Sequence, residues 1–327
     1  MMYVLLLIGF VLLIKGADFF VDGASSIARL LKIPAVIIGL TIVAMGTSAP
    51  EAAVSITAAL EGNNAIALSN VIGSNIFNIL VVAGVCAVML PYTVEKGILK
   101  RDFPINIVFS IIVTVMALMG GISRIGGVIL LLCMVFYLYL TIRAAKKGKL
   151  EDDGNDTSSN LYKSLMRKMD NFIPSETASG AILSVLFCIV GLAAVILGGQ
   201  MVVNNASAIA SAWGLSDTLI GLTIVALGTS LPELVTSIVA SRKGESDLAM
   251  GNVVGSNIFN LAFILGMSAT VHPFAAPDFA FIDAAIMTIT AVLMLILCSG
   301  KKHMLNRWEG AFCVLAYIVY TAYIIMR

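Results

Sequence analysis

Two glutamates, Glu51 and Glu233, stand in otherwise apolar stretches, each directly after a Gly-Thr-Ser-x-Pro break. Inserting a carboxylate into hydrocarbon is costly, so such residues mark ion or proton pathways. Pro50 lacks the N–H that would bond the Gly46 carbonyl, and it pushes Ala49 away from helical angles. The helix is therefore expected to break here. Carbonyls near Ala44 and Thr47 could then turn toward a ligand, beside the hydroxyls of Thr47 and Ser48. Gly228, Thr229, Ser230, Pro232 and Glu233 repeat the construction. Further along come Gly73-Ser74-Asn75-Ile76-Phe77-Asn78 and Gly255-Ser256-Asn257-Ile258-Phe259-Asn260. Ser74 and Asn78 are four apart and share a helix face, as do Ser256 and Asn260. Carboxylates, hydroxyls, amide oxygens and carbonyls are all hard donors. That set suits Ca2+ or Na+ and disfavours zinc or copper.

Each feature alone has an ordinary reading: a kinked helix, or polar side chains packing between helices. Their joint recurrence argues against it. Residues 39–84 and 221–266 align without a gap at an offset of 182, and Gly16, Ala24 and Ser25 meet Gly198, Ala206 and Ser207 at the same offset.

The elements that hold these residues must be membrane helices. Hydrophobic residues make up 59% of the chain and charged residues only 12%, half the usual share for a soluble domain. A net charge of +1 argues against nucleic-acid binding. The five cysteines lie scattered in apolar runs, without ligand spacing. Spans of about 20 apolar residues are expected near 2–22, 34–60, 65–90, 104–121, 124–144, 178–203, 216–240, 246–271, 280–299 and 308–326. The apolar N-terminus reads as a retained first span. With both termini extracytoplasmic, 17 of the 20 Lys and Arg fall in cytoplasmic loops. Five spans per copy is an odd number, so the copies cross the membrane in opposite senses, an arrangement that builds one central site with two entrances. The expected organisation is a first five-helix repeat (1–145), a cytoplasmic linker (146–177) and an inverted second repeat (178–327). Within the linker, Glu151, Asp152, Asp153 and Asp156 do not follow the EF-hand spacing, and Leu161 to Phe172 could lie on the inner membrane surface. Asp18 and Asp22 are expected to pair locally with Lys15. Gly16 and Gly198–Gly199 are expected to let the first and sixth spans bend as they slide across the rest.

The paired segments GLTIVAMGTSAPE and GLTIVALGTSLPE, each followed by GSNIFN, resemble the α-repeats of the cation/Ca2+ exchanger superfamily, in particular its prokaryotic sodium/calcium exchangers. The resemblance covers essentially the whole chain. It implies a ten-helix fold with a central diamond of four sites. The carboxylates of Glu51 and Glu233 with the carbonyls of Thr47 and Thr229 would hold Ca2+. Ala44, Ser48 and Ser74 on one side, and Ala226, Ser230 and Ser256 on the other, would hold Na+. Asn78 and Asn260 would line the middle. Some relatives, including potassium-dependent exchangers, carry Asp where Asn260 stands, which weighs against K+ co-transport. The proton-coupled branch shows a different motif.

The function expected is secondary Na+/Ca2+ antiport by alternating access across a cell membrane, with Ca2+ and Na+ as substrates. No enzyme activity, resident cofactor or obligate protein partner is expected, and the chain is expected to be a monomer in the bilayer. Ca2+/H+ or K+-dependent antiport on the same fold is the alternative. A cation channel is more remote and would lack saturable counterflow. An intramembrane hydrolase would need a nucleophile–base pair or a metal triad, and neither is present.

Overall fold

A computed structural model describes residues 1–62, 64–151, 178–214, 226–276, 280–300 and 303–326. The fold is all-helical. Among the described residues, eight helices are long and apolar enough to cross a membrane, and a bent pair makes a ninth such segment. In chain order the helices are α1 (Met2–Leu31), the bent pair α2 (Ala35–Thr47) and α3 (Ala49–Leu60), α4 (Ile66–Met89), α5 (Ile98–Leu118) and α6 (Arg124–Glu151). They continue with α7 (Ala178–Ala212), α8 (Leu231–Arg242), α9 (Ser246–Val271), α10 (Ala280–Cys298) and α11 (Arg307–Met326). A single helical turn, Ala226–Gly228, precedes α8. The expected span 216–240 begins in residues outside the described ones, as do most of the linker and the helix expected at Leu161 to Phe172.

Several helices outrun their expected ends. α1 continues nine residues past 22, and α6 continues to Glu151, into the expected linker. α5 starts at Ile98 rather than 104, with a π-helical turn over Ile98–Asp102. Arg101 is thus a helix residue, bonded through Nε and Nη2 to both carboxylate oxygens of Asp102 at 2.9 Å. A hydropathy window scores Arg101 and Asp102 as polar and cannot see that they neutralise each other.

Small residues let the helices touch backbone to backbone, the dominant packing device inside a membrane. α1 and α7 run antiparallel along a seam of glycines. A Cβ on Gly16 would come within 2.7 Å of Val195 N, one on Gly23 within 2.6 Å of Cys188 N, and one on Gly198 within 2.5 Å of Leu13 N. Both helices run unbroken through Gly16 and Gly198, where these glycines serve close approach. α2 crosses α9 in the same way, with Gly255 against Leu40 Cα. Large apolar side chains such as Leu132, Phe136, Ile182 and Ile189 are exposed, as expected where lipid is the solvent.

Two short antiparallel ribbons tie the halves together. β1 (Tyr92–Thr93) pairs with β4 (Met304–Leu305), and β2 (Gly121–Ile122) pairs with β3 (Phe274–Ala275). β1 and β3 sit at the 182-residue offset, so each ribbon joins a loop of one half to a loop of the other. The π-helical turns Asn78–Val82 in α4 and Asn260–Ile264 in α9 obey the same offset.

Candidate functional site

The α2–α3 pair bends by 49° at the Gly-Thr-Ser-Ala-Pro break. Ser48 leaves helical angles (φ −80°, ψ 8°) and Pro50 occupies the first turn of α3, where its missing N–H costs nothing. Ser230 (φ −91°, ψ 7°) and Pro232 do the same at the start of α8. Glu51 and Glu233 therefore sit in the first turns of two helices, where the N-terminal dipole favours negative charge. Both are fully buried. The Ala44 carbonyl is less free than expected. It keeps the Ser48 N–H at 3.0 Å and also receives the Ser256 hydroxyl at 3.4 Å.

The two halves meet in a crossed pair of bonds. Ser48 Oγ donates to Glu233 Oε1 at 2.8 Å, and Ser230 Oγ donates to Glu51 Oε1 at 2.8 Å. Each glutamate is thus fixed by the hydroxyl beside the other's break. The second carboxylate oxygens, Glu51 Oε2 and Glu233 Oε2, have no partner among the described residues. The same holds for the hydroxyls of Ser74 and Thr229 and for Asn78 Oδ1 and Asn260 Oδ1. Thr47 differs from its counterpart: its hydroxyl donates to Asn252 Oδ1 at 3.0 Å. Ala226 lies in the helical turn before Thr229.

Buried oxygens without donors are expensive. All these are oxygen acceptors, and the set holds two carboxylates with neutral oxygens around them. No cluster of three or more His, Cys, Asp or Glu occurs among the described residues. Hard cations fit this donor set, since an oxygen lone pair can trade a missing N–H for a metal ion.

Sequence reasoning did not single out four supporting asparagines. Asn70 Nδ2 donates to Ser55 Oγ at 2.9 Å and to the Glu51 carbonyl at 3.4 Å. Asn252 does the same for Ser237 Oγ and the Glu233 carbonyl, at 3.0 and 3.5 Å. Asn75 and Asn257 bond across the interface between α4 and α9. The signal was available: Ser55, Asn70 and Asn75 recur unchanged as Ser237, Asn252 and Asn257 at the 182-residue offset.

The expected local pairing with Lys15 is found for Asp18 and is corrected for Asp22. Lys15 reaches only Asp18, at 3.6 Å, while Lys243, just past α8, binds Asp22 Oδ1 at 2.7 Å and the Asp18 carbonyl at 2.9 Å. A contact separated by 221 residues could not be read from helical spacing.

Comparison with known proteins agrees with the geometry. The family described as sodium/calcium exchanger protein matches residues 1–143 and 183–326. The chain belongs to that family. Putative antiporter CaxA of Alkalimonas amylolytica is 40% identical over 97% of this chain and 96% of its own length. Sodium/calcium exchanger MaX1 of Methanosarcina acetivorans is 34% identical over 97% of both chains. The solved sodium-calcium exchanger NCX_Mj, soaked with Na+ and Sr2+, superposes with a TM-score of 0.82 at 30% identity, covering 98% of this chain and 99% of its own. This exchanger-family chain therefore has the all-helical membrane fold of that exchanger, in a family of transporters and not enzymes.

Proposed function

We propose that this chain exchanges Na+ for Ca2+ across a cell membrane by alternating access. The observation that carries the reading is the crossed serine–glutamate pair from the two halves, surrounded by buried oxygen atoms that nothing in the described chain satisfies. Glu51 and Glu233 form two walls of one site, with a charge of about −2 when both are ionised. One Ca2+ neutralises that charge, held by the two carboxylates and the carbonyls of Thr47 and Thr229. Na+ ions take the flanking positions built from Ala44, Ser48 and Ser74, and from Ala226, Ser230 and Ser256, with Asn78 and Asn260 between. Because the ions compete for shared ligands, occupancy by one expels the other, which couples the two fluxes. The transported ions are substrates, and the protein works as a monomer.

Residues 1–145 and 178–327 act as inverted five-helix repeats joined by a cytoplasmic linker, with both termini extracytoplasmic. α1 and α7, locked along their glycine seam, slide as one body past the rest. The test is Ca2+ uptake into proteoliposomes loaded with Na+, K+ or protons in turn. Uptake driven by Na+ alone is expected. Uptake driven equally by K+ or protons would replace the sodium reading with the alternative couplings, and unsaturable flux without counterflow would indicate a channel.

A further inference from the structure

The first asparagines of the two Ser-Asn-Ile-Phe-Asn motifs point away from the role given to the second. We propose that Asn75 and Asn257 are positioning residues that fix the amides of Asn260 and Asn78, so that their oxygens and not their NH2 groups are left for the transported cation. The proposal rests on the ion site described above.

The orientation follows from bonding logic. The backbone carbonyl of Asn257 can only accept. Asn75, 3.3 Å away, must therefore present Nδ2 to it. Its Oδ1 is then turned to Asn260, 3.1 Å away. Asn260 can answer an oxygen only with its own Nδ2. That leaves Asn260 Oδ1 as the end without a partner among the described residues. The mirror chain runs from the Asn75 carbonyl through Asn257 Nδ2 at 3.2 Å, then from Asn257 Oδ1 to Asn78 Nδ2 at 3.1 Å, leaving Asn78 Oδ1 free in the same way. The two chains interlock across α4 and α9, and all four side chains are buried.

The functional consequence is electrostatic. An amide offers a cation either an oxygen that attracts it or two N–H groups that repel it, and rotation of the amide by half a turn exchanges them. A carboxylate has no such ambiguity. A neutral site centre therefore needs an external device to set its polarity. Here that device ends on two backbone carbonyls, which cannot flip.

The experiment measures half-saturating Ca2+ and maximal rate for uptake into Na+-loaded proteoliposomes, alongside thermal unfolding. Asn75→Leu is tested alone and in an Asn260→Asp background. Alone, it should raise half-saturating Ca2+ by about 10-fold, with a smaller change in maximal rate, as expected for one mispositioned polar ligand. In the Asn260→Asp background, where either oxygen serves, the same substitution should shift it by less than about 2-fold. Asn75→Asp keeps an acceptor for Asn260 in either protonation state, and in the protonated form it also keeps a donor for the Asn257 carbonyl. It should stay within about 3-fold of wild type, which gives a readout in a variant of unchanged volume. An equal shift in both backgrounds, no shift at all, or failure of Asn75→Asp to rescue would overturn the relay. The ion site itself is tested apart from this by Glu51→Gln: if that variant transports normally, the site reading falls and the relay with it. Loss of transport in Glu51→Gln with an equal Asn75→Leu shift in both backgrounds overturns the relay alone.

Discussion

Replacing Lys243 with Gln should move the balance between the two access states. Lys243 holds α1 against the end of α8 through Asp22 Oδ1 at 2.7 Å, the Asp18 carbonyl at 2.9 Å and Asp18 Oδ1 at 3.5 Å. At the 182-residue offset, Asp18, Asp22 and Lys243 become Gln200, Asn204 and Glu61, so no such ion pair can form at the corresponding place in the other half. Sliding α1 past α8 must part the contact. The side chains of Lys243 and Asp22 are 25% and 26% exposed, so solvent screens the pair and only about 1 kcal/mol remains. That is a factor of about 5 in the equilibrium between states. Half-saturating Ca2+ at a given face scales inversely with the fraction of protein open to it. The value measured from the Lys243 side should shift by up to about 5-fold in Lys243→Gln while the binding site is untouched. Asp22→Asn should reproduce the effect, the double variant should add little, and high salt should shrink the difference. Side-selective Ca2+ titrations in oriented vesicles measure this. Unchanged values, or additive effects of the two substitutions, would refute the latch.

Three further outcomes follow from the same geometry. Gly16→Val should destabilise the protein by roughly 1–3 kcal/mol, read as a lower unfolding midpoint, because the α1–α7 seam has no room for a side chain. Ser48→Ala and Ser230→Ala each free one glutamate oxygen from the opposite half, and both should weaken Ca2+ and Na+ dependence of transport together. Burial, reinforced by the nearby charge of Asp247, pushes Glu95 up to about 7. The folded chain then holds this proton to a higher pH than the unfolded chain, so this contribution to stability is full in acid and is lost as pH rises through about 7. Thermal unfolding between pH 5 and pH 8 should show that loss, and Glu95→Gln should flatten it.

Much of the candidate site was legible because membrane insertion makes polar residues conspicuous. Glu51, Glu233 and the Gly-Thr-Ser-x-Pro breaks announce themselves against an apolar background, and the 182-residue repeat pairs them. Helix ends were less legible. The more polar ends of α1 and α7 run on to Leu31 and Ala212, beyond the apolar stretches that hydropathy reports. Long-range partners were not legible at all. The choice of Lys243 over Lys15 for Asp22, and the interlocked amides of Asn75 and Asn257, depend on how separate helices cross. The glycines of α1 and α7 illustrate a different limit. Sequence shows that a side chain is missing, but only the packing distinguishes a hinge from a seam.

The central claim is that Glu51 and Glu233 are two walls of one shared site. It is tested most directly by Na+-driven Ca2+ uptake in proteoliposomes carrying Glu51→Gln or Glu233→Gln, with unfolding curves to establish that each variant folds. Both variants should be folded and should each lose Ca2+ uptake nearly completely, because half of the site's charge does not bind half as well. A folded variant of either residue that still exchanges Na+ for Ca2+ at the wild-type rate would contradict the account.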